Sequence, residues 1–545
     1  MANAEEMGRN LRTISISEFF EKNRHLLGYD NKAKAMLMLV KEGVDNSLDA
    51  CEEAGILPDI FVKIRELGPE KYEITTRDNG PGIVKDQIPK IFGKLLYGSK
   101  FHRLRQSRGQ QGLGISCAVL YSQLTTGTPT TITSSTGDGR THLYQIKIDV
   151  AKNNPVVVET DVEEGRVWHG VEAKMTAECT YRENKQSVIE YIRQTAISNP
   201  YAEIIFEPPS GERLDFKRGV DRLPRQPMEI RPHLYGVELG VLTRMLAYTE
   251  ARTLQTFLTT EFSRVGKQSA SEIILKAGIT REEAGRTVAD TRYKPKKVTD
   301  EQAGRIIEAV KHVKLIRPPT ECLSPLGSEL IESGMVKELN PEFVTAVTRS
   351  PEVYRGWPFQ VEVGLAYGGS IKSLDVLRFA NRVPLLYQQG ICAITRSIQE
   401  TEWRRYGIAM NKEGNEEPLV IFAHLCSVWV PFTSESKEAI ANYDIIVKEI
   451  KLALQEAARK LSVWLSGKRK SAMLTKKKSI FERYAGETAT ALGVINGIPA
   501  EKIRGLILEL IKKHWGELNG QDEPEQDEGE DSESWEGSDE SAGKE

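Results

Sequence analysis

The sequence predicts an α+β multidomain protein: an α/β sandwich domain, a helical insert, a second α/β domain that ends in a long helix, and a disordered acidic tail. Three observations predict it. The chain has 545 residues, too many for one hydrophobic core, so it divides into several domains. Strand-like patterning occurs twice, over 59–207 and again from 357, and between the two lie short helical segments broken by Gly, Pro and Thr. Residues 521–545 hold 12 acidic residues and one Lys, a net −11 that leaves +8 on the rest of the chain. Such a tail cannot bury enough apolar surface to fold. The mildly basic body is compatible with nucleic-acid contact.

Other classes fall away on composition. No apolar run approaches the ~18–20 residues of a membrane span. The start, MANAEEMGRN, has no apolar signal core, so the expected location is the cytoplasm. Six cysteines (Cys51, Cys117, Cys179, Cys322, Cys392, Cys426) lie far apart with no CxxC pair. That argues against zinc or a redox dithiol and for reduced, buried thiols.

In chain order, residues 1–24 read as an arm followed by a short helix, SISEFFEKNRHLLG. Apolar spacing through Ala35, Leu37, Leu39, Val40, Val44 and Leu48 predicts a helix over 33–54. Strands follow at 59–66 and 71–76, a glycine-bearing loop region covers 77–114, and further strands come at 129–134, 143–149, 155–159 and 171–176. A helix over 184–198 and the strand AEIIFE close the first unit. Residues 319–350 read as a loop-rich connector. Strands return in FQVEVGLAYG, LDVLRFANRVP and LVIFAHLCSVWVPF, with a helix near 395–405. The long helix is expected to begin near Ser436 and run some 30 residues; separate helices are expected at 478–491 and 499–516, after the basic stretch KRKSAMLTKKK.

Three motifs carry chemistry. On the 33–54 helix, Glu42 and Asn46 are four apart and share one face, Asp49 follows three later, and Asp45 points elsewhere. A carboxylate there can take a proton from water, and the Asn carbonyl oxygen can ligate Mg²⁺; a solvated polar face is the plainer alternative. In TTRDNGPGI, Asp78 ends a strand and Gly80 and Gly82 permit close backbone approach. The Asp78 carboxylate can accept a hydrogen bond from an exocyclic amine such as that of adenine; a simple turn is the alternative. In SRGQQGLGIS, Gly109, Gly112 and Gly114 frame Gln110 and Gln111 and open an apolar helix, a setting in which backbone N–H groups can surround phosphate. It is not a Walker A loop, because no Gly-Lys-Ser/Thr follows. Lys100, Arg103 and Arg108 add charge near it, or form a solvated basic loop.

The order of these motifs within about 75 residues resembles the N-box, adenine loop and glycine-rich lid of the GHKL ATPases. The resemblance implies an α/β sandwich with ATP and Mg²⁺ between helices and lid. It implies that Glu42 is the general base, Asn46 the Mg²⁺ ligand, Asp49 a supporting polar group and Asp78 the reader of adenine, with Gly80 and Gly82 shaping the base pocket. It further implies phosphate wrapping by Gly109, Gln110, Gln111, Gly112, Leu113 and Gly114, with Ile115, Ser99 and Lys100 also at the nucleotide. One departure stands out. The family's late Gly-Thr pair corresponds to HGVEAKM, so Val171 stands where the Thr is expected, and the hydroxyl contact is either missing or supplied by water or another side chain.

Over residues 10–466 the chain is similar to the B subunits of archaeal type IIB topoisomerases, in SEFFEKNRHLLGYDNKAKAM, SRGQQGLGIS, RFANRVPLLY and SVWVPFTSESKEAI. That resemblance implies a strap (1–24), a GHKL ATP-binding domain (25–227), a helix–two-turns–helix domain (228–316) able to touch DNA through RYKPKKVTD, a transducer with stalk helix (317–466), a small helical extension (467–518) and the acidic tail (519–545). It implies that Lys437, read as lying at the start of the stalk helix, meets the γ-phosphate. The implied partners are a second copy of the chain on ATP binding, duplex DNA, and an A subunit at stalk residues 450–466 that cleaves DNA. No Asp-x-Asp metal pair occurs in this chain, so no DNA cleavage by it alone is expected. Two alternatives stay open: another GHKL clamp of the MutL or chaperone kind, and a non-hydrolysing assembly subunit.

Overall fold

The computed structural model describes residues 13–100, 104–109, 112–165, 167–409, 417–434 and 436–520. Arg103, Gln110, Gln111 and the acidic tail from 521 lie outside the described residues. The chain forms two compact units, one through Ser462 and one from Val463.

The first unit opens with α1 (Ile16–Lys22), capped by the Ser15 hydroxyl, which accepts from the Glu18 N–H. Next comes α2 (Lys32–Glu53), the helix predicted over 33–54. Asn31 caps it by accepting from the Lys34 N–H at 2.8 Å, and Gly55 follows its end at φ +72°. The helix is buried on nearly every side, including Lys34, Lys41, Asp45 and Asp49, so each of these charges needs a partner. Strands β1 (Asp59–Gly68) and β2 (Lys71–Arg77), short α3 (Ile88–Gly93) and α4 (Gly114–Thr126) follow. Then come β3 (Thr130–Thr136), β4 (Arg140–Asp149), β5 (Asn154–Glu164), β6 (His169–Glu178), α5 (Val188–Ser198), β7 (Glu203–Glu207) and β8 (Leu214–Phe216). The eight strands make one sheet in the order β5-β4-β3-β6-β2-β1-β7-β8, antiparallel except for the parallel pair β1–β7. Helices α2, α4 and α5 share a core with this sheet, centred on Leu39, Val44, Leu48, Val62, Ile74, Met175 and Ile192.

The helical insert contains α6 (Leu239–Tyr248), α7 (Leu254–Glu261), α8 (Lys267–Lys276) and α9 (Asp300–Lys311) around its own core of Leu242, Phe257, Ile273 and Ile306. It also carries a hairpin, β9 (Thr280–Glu283) and β10 (Arg286–Ala289), which the sequence pattern did not announce. The expected loop-rich connector proves to be structured: α10 (Ser328–Leu339) and β11 (Phe343–Thr348) occupy it. The density of Pro, Ser and Gly before 328 disguised a helix bounded by Gly327 and by Asn340 in the left-handed region.

Strands β12 (Glu352–Tyr354), β13 (Trp357–Tyr367), β14 (Asp375–Ala380), β15 (Val383–Pro384), the short α11 (Ala393–Gln399) and β16 (Leu419–Ser427) complete a second sheet, ordered β11-β13-β16-β14-β15 with β12 on β13. Strand β16 is buried along its whole length, and β14 runs parallel to it. The long helix α12 spans Asp444–Asn496, 53 residues, and begins eight residues after Ser436. The described residues 433–434 and 436–440 are not helical, and Phe432 and Ile440 pair across an isolated bridge. The basic stretch does not break α12: Lys, Arg, Ala, Met and Leu are all good helix formers. The expected helix at 478–491 is therefore its continuation. Helix α13 (Ala500–Gly520) ends the described chain. Among the described residues no helix is long and apolar enough to cross a membrane.

Candidate active site

One face of α2 opens on a cavity of about 480 Å³, within the roughly 300–1,000 Å³ usual for small-molecule sites. Glu42 and Asn46 line it together, as their spacing predicts. Asn46 is exposed, whereas its neighbours Asp45 and Ser47 are buried. Asp45 turns away to accept from Lys41 (3.1 Å) and from the Tyr191 hydroxyl (2.8 Å). A single exposed amide oxygen is a fitting Mg²⁺ ligand, since that ion keeps several waters and takes few protein ligands beside substrate phosphates.

The opposite wall is the start of α4. Gly109, Gly112, Leu113, Gly114, Ile115, Ser116 and Cys117 line the cavity. Gly112 adopts φ +61°, and its carbonyl accepts from the Leu96 N–H at 2.9 Å. A Cβ on Gly114 would fall 1.8 Å from Glu42 Oε2, so only glycine lets that carboxylate rest against the helix start. The first turn of α4 lines the same space, and a helix N-terminus favours anionic groups. Ser99 and Lys100 also line the cavity, as do Tyr97 and Tyr29. Tyr29, which lies outside the three motifs that carry chemistry, stacks on Tyr121 at 4.8 Å.

Asp78, Gly80 and Gly82 stand behind this cavity and not in its lining. Asp78 Oδ1 accepts from the N–H groups of Gly80 (2.9 Å) and Val171 (3.1 Å), and Oδ2 accepts from the Ser47 hydroxyl (2.8 Å). Burial pushes its carboxyl above the usual range against the pull of these donors. The missing Thr hydroxyl is thus matched by two groups: the Val171 main chain and Ser47, one position beyond Asn46. Gly170 makes the first contact possible, since a Cβ there would lie 2.1 Å from the Asp78 carbonyl oxygen. Gly82, at φ +72°, presses on the β3 backbone, where a Cβ would meet the Ser135 carbonyl oxygen at 2.0 Å.

Asp49 differs from expectation. It does not line the cavity; its Oδ1 accepts from Arg108 (2.9 Å) and its Oδ2 from Lys100 (2.7 Å). Burial alone would raise its carboxyl, but the two cations outweigh burial and hold it well below the usual carboxylate range. Arg108 is not in a solvated loop: its side chain is 1% exposed and reaches Asp49, Glu52, Asn199 and Tyr201. Lys100 likewise bridges Asp49 and Glu53, so its charge near the cavity is already engaged.

Lys437 comes from the second sheet's side of the molecule, 329 residues after Arg108, and its Nζ donates to the Arg108 carbonyl at 3.1 Å. It sits in a loop at φ +55° and not at a helix N-terminus; α12 starts seven residues later. The helix-dipole argument for it therefore fails, while its place in the cavity wall stands. Desolvation by the cavity walls, then the neighbouring Lys41, lowers its amine from the usual range.

A second residue spanning the domains lies in RFANRVPLLY, where its neighbours in sequence give no sign of its partners. Asn381 and Arg382, both at positive φ, make the two-residue turn between β14 and β15, the pattern of a type I′ hairpin. Arg382 has no glycine's freedom there, yet it pairs with Glu52 at 3.0 Å and donates to the Tyr201 hydroxyl at 2.8 Å. Its own N–H donates to His424, which is bound in turn to Glu362 at 2.8 Å. Glu362 accepts from the N–H groups of Leu326 and Gly327 just before α10. These three buried groups, Glu362, His424 and Cys426, stand close enough to suggest a metal site. Both ring nitrogens of His424 are already committed, so the cluster is a closed hydrogen-bond network.

Two family models match the chain. Residues 31–152 match the family described as histidine kinase-, DNA gyrase B- and HSP90-like ATPase, and residues 318–477 match the topoisomerase VI B subunit transducer. The B subunit of type 2 DNA topoisomerase 6 from Archaeoglobus fulgidus is 49% identical over 462 residues, covering 84% of this chain and 75% of that protein. Its counterpart of the same description from Pyrococcus furiosus is 40% identical over 552 residues, covering 94% and 96%. A solved B-subunit of the DNA gyrase from Myxococcus xanthus aligns with a TM-score of 0.40 at 12% identity, covering 82% of this chain and 95% of that one.

Proposed function

This chain belongs to the topoisomerase VI B-subunit family and is the ATPase subunit of a type II DNA topoisomerase; from that premise we propose that Glu42, Asn46 and Lys437 carry out its ATP hydrolysis. The observation that supports the reading is their convergence on one cavity from two separate parts of the chain. In the proposed reaction the Glu42 carboxylate takes a proton from a water, the water oxygen bonds to the γ-phosphorus, and the bond to the ADP oxygen breaks. Asn46 would hold Mg²⁺, which when bound would neutralise phosphate charge. Lys437 leaves the Arg108 carbonyl for the γ-phosphate. The glycine-rich turn before α4 offers its N–H groups to the phosphates, and Asp78 with Ser47 and Val171 orders the wall behind the base pocket.

ATP binding then draws two copies together into a clamp on duplex DNA, in a cytoplasmic A2B2 assembly whose A subunit meets α12 around 450–466 and cuts a second duplex. Hydrolysis resets the clamp, giving strand passage, relaxation and decatenation. The decisive test is Mg²⁺-dependent ATP turnover by the purified chain beside Glu42→Ala, each with and without DNA and an A subunit. Turnover that collapses by about 10²-fold or more in the variant and is stimulated by DNA with the A subunit supports the reading. Equal turnover in both proteins overturns it.

A further inference from the structure

The residue after Lys437 carries a contact that hydrolysis as described above does not use. Glu438 is 4% exposed, and its carboxylate is ion-paired with Lys34. Lys34 is 8% exposed and lies on the first turn of α2. Two helical turns further along the same helix is Glu42, about 12 Å away by helix rise. One buried pair thus ties the loop that bears Lys437 to the helix that bears the base.

Short bonds hold the described part of the loop, among them one between the Ser434 and Ser436 hydroxyls at 2.9 Å. The Lys437 N–H donates to the Ser434 carbonyl at 3.1 Å, and the Thr433 N–H donates to the Ala439 carbonyl at 2.9 Å. With Lys437 in the left-handed region, the loop carries backbone strain, and the buried pair is one of the contacts that can offset it. The contact is also built to open. Lys34 has a second carboxylate, Asp30, at 3.1 Å with 42% of its side chain exposed, and its ammonium lies 5.3 Å over the Tyr387 ring. When Glu438 withdraws, Lys34 keeps a counter-charge, so separation does not strand a bare buried cation. A buried ion pair adds little net stability over an apolar one, and fixing register is its best-attested use.

We propose that the Lys34–Glu438 pair is a releasable latch that seats Lys437 in the nucleotide cavity, so that both are positioning residues for hydrolysis. The proposal rests on the reading of Lys437 given above, and its test separates the two. ATP kcat and KM are measured for the full chain with DNA and an A subunit, at a temperature where circular dichroism finds every variant folded. The variants are Glu438→Gln, Lys34→Met, their double, Lys34→Arg and Lys437→Ala. In parallel, the rate at which an amine-reactive reagent labels Lys437 is read by mass spectrometry. Glu438→Gln and Lys34→Met are each expected to lower kcat at least about tenfold with little change in KM, and to speed Lys437 labelling. The double is expected to lose no more than either single, and Lys34→Arg to stay near wild type, since it can still bridge both carboxylates. Wild-type turnover in Glu438→Gln, or unchanged Lys437 labelling, overturns the latch. Wild-type turnover in Lys437→Ala overturns the reading beneath it.

Discussion

At the scale of single residues, the best-defined electrostatic centre is Asp49 with Arg108. The carboxylate is 8% exposed and the guanidinium 1%, so removing one partner leaves the other buried and uncompensated. Asp49→Asn is expected to cost about 3 kcal/mol, read by denaturant unfolding. The sign with pH follows from the lowered carboxyl. Its stabilising contribution is complete above the unfolded value near 4 and is lost as pH falls through the folded one. Glu52 is lowered in the same direction, by Arg108 and Arg382 against the opposing effect of burial. Wild type should therefore lose stability below about pH 4 more steeply than Asp49→Asn; parallel slopes would remove Asp49 from the account. Glu42 and Asn46 were legible because both partners sit on one helix at a spacing of four. Arg108 was not, because its four partners come from α2 and from the segment after α5, and nothing local reveals them. Arg382 was hidden for a different reason: a positive φ at Arg contradicts the residue preferences by which turns are read.

Among the elements, two glycines give opposite expectations. At the start of α4, a Cβ on Gly114 would collide with the far end of the flexible Glu42 side chain. Gly114→Ala should displace the carboxylate and depress ATP turnover while leaving the melting temperature near wild type. At Gly82 the collision is with the β3 backbone, at a φ that disfavours any side chain. Gly82→Ala should lower stability by about 2 kcal/mol or more, seen in thermal melts before any assay of turnover. If both variants melt alike, the distinction between yielding side chain and fixed backbone fails. Regular elements were read well where periodicity was strong, as in α2 and the paired strands β1 and β2. The start of α12 was misplaced because KEAIAN has helical spacing, while the Phe432–Ile440 bridge is a contact across the loop that local spacing does not show.

For the whole molecule, the described cores of the sandwich, the insert and the second sheet all lie before residue 462. A fragment ending at Ser462 is therefore expected to unfold cooperatively and to retain basal ATP turnover. A fragment that aggregates or binds no nucleotide would show that the boundary is wrongly drawn. The succession of a sheet, a helical insert and a second sheet was legible from composition shifts. The joining of distant parts at the cavity was legible only through family resemblance, since no local pattern relates Lys437 to Arg108. Their separation also has a bearing on synthesis. A ribosome adding some 5–20 residues per second needs roughly 16–66 s to travel the 329 residues between them. Over nearly all of that interval the nascent chain already holds Glu42, Asn46 and the glycine-rich turn but not the lysine. Each new molecule thus passes through a period in which it carries one wall of the cavity before it carries the lysine that completes the other.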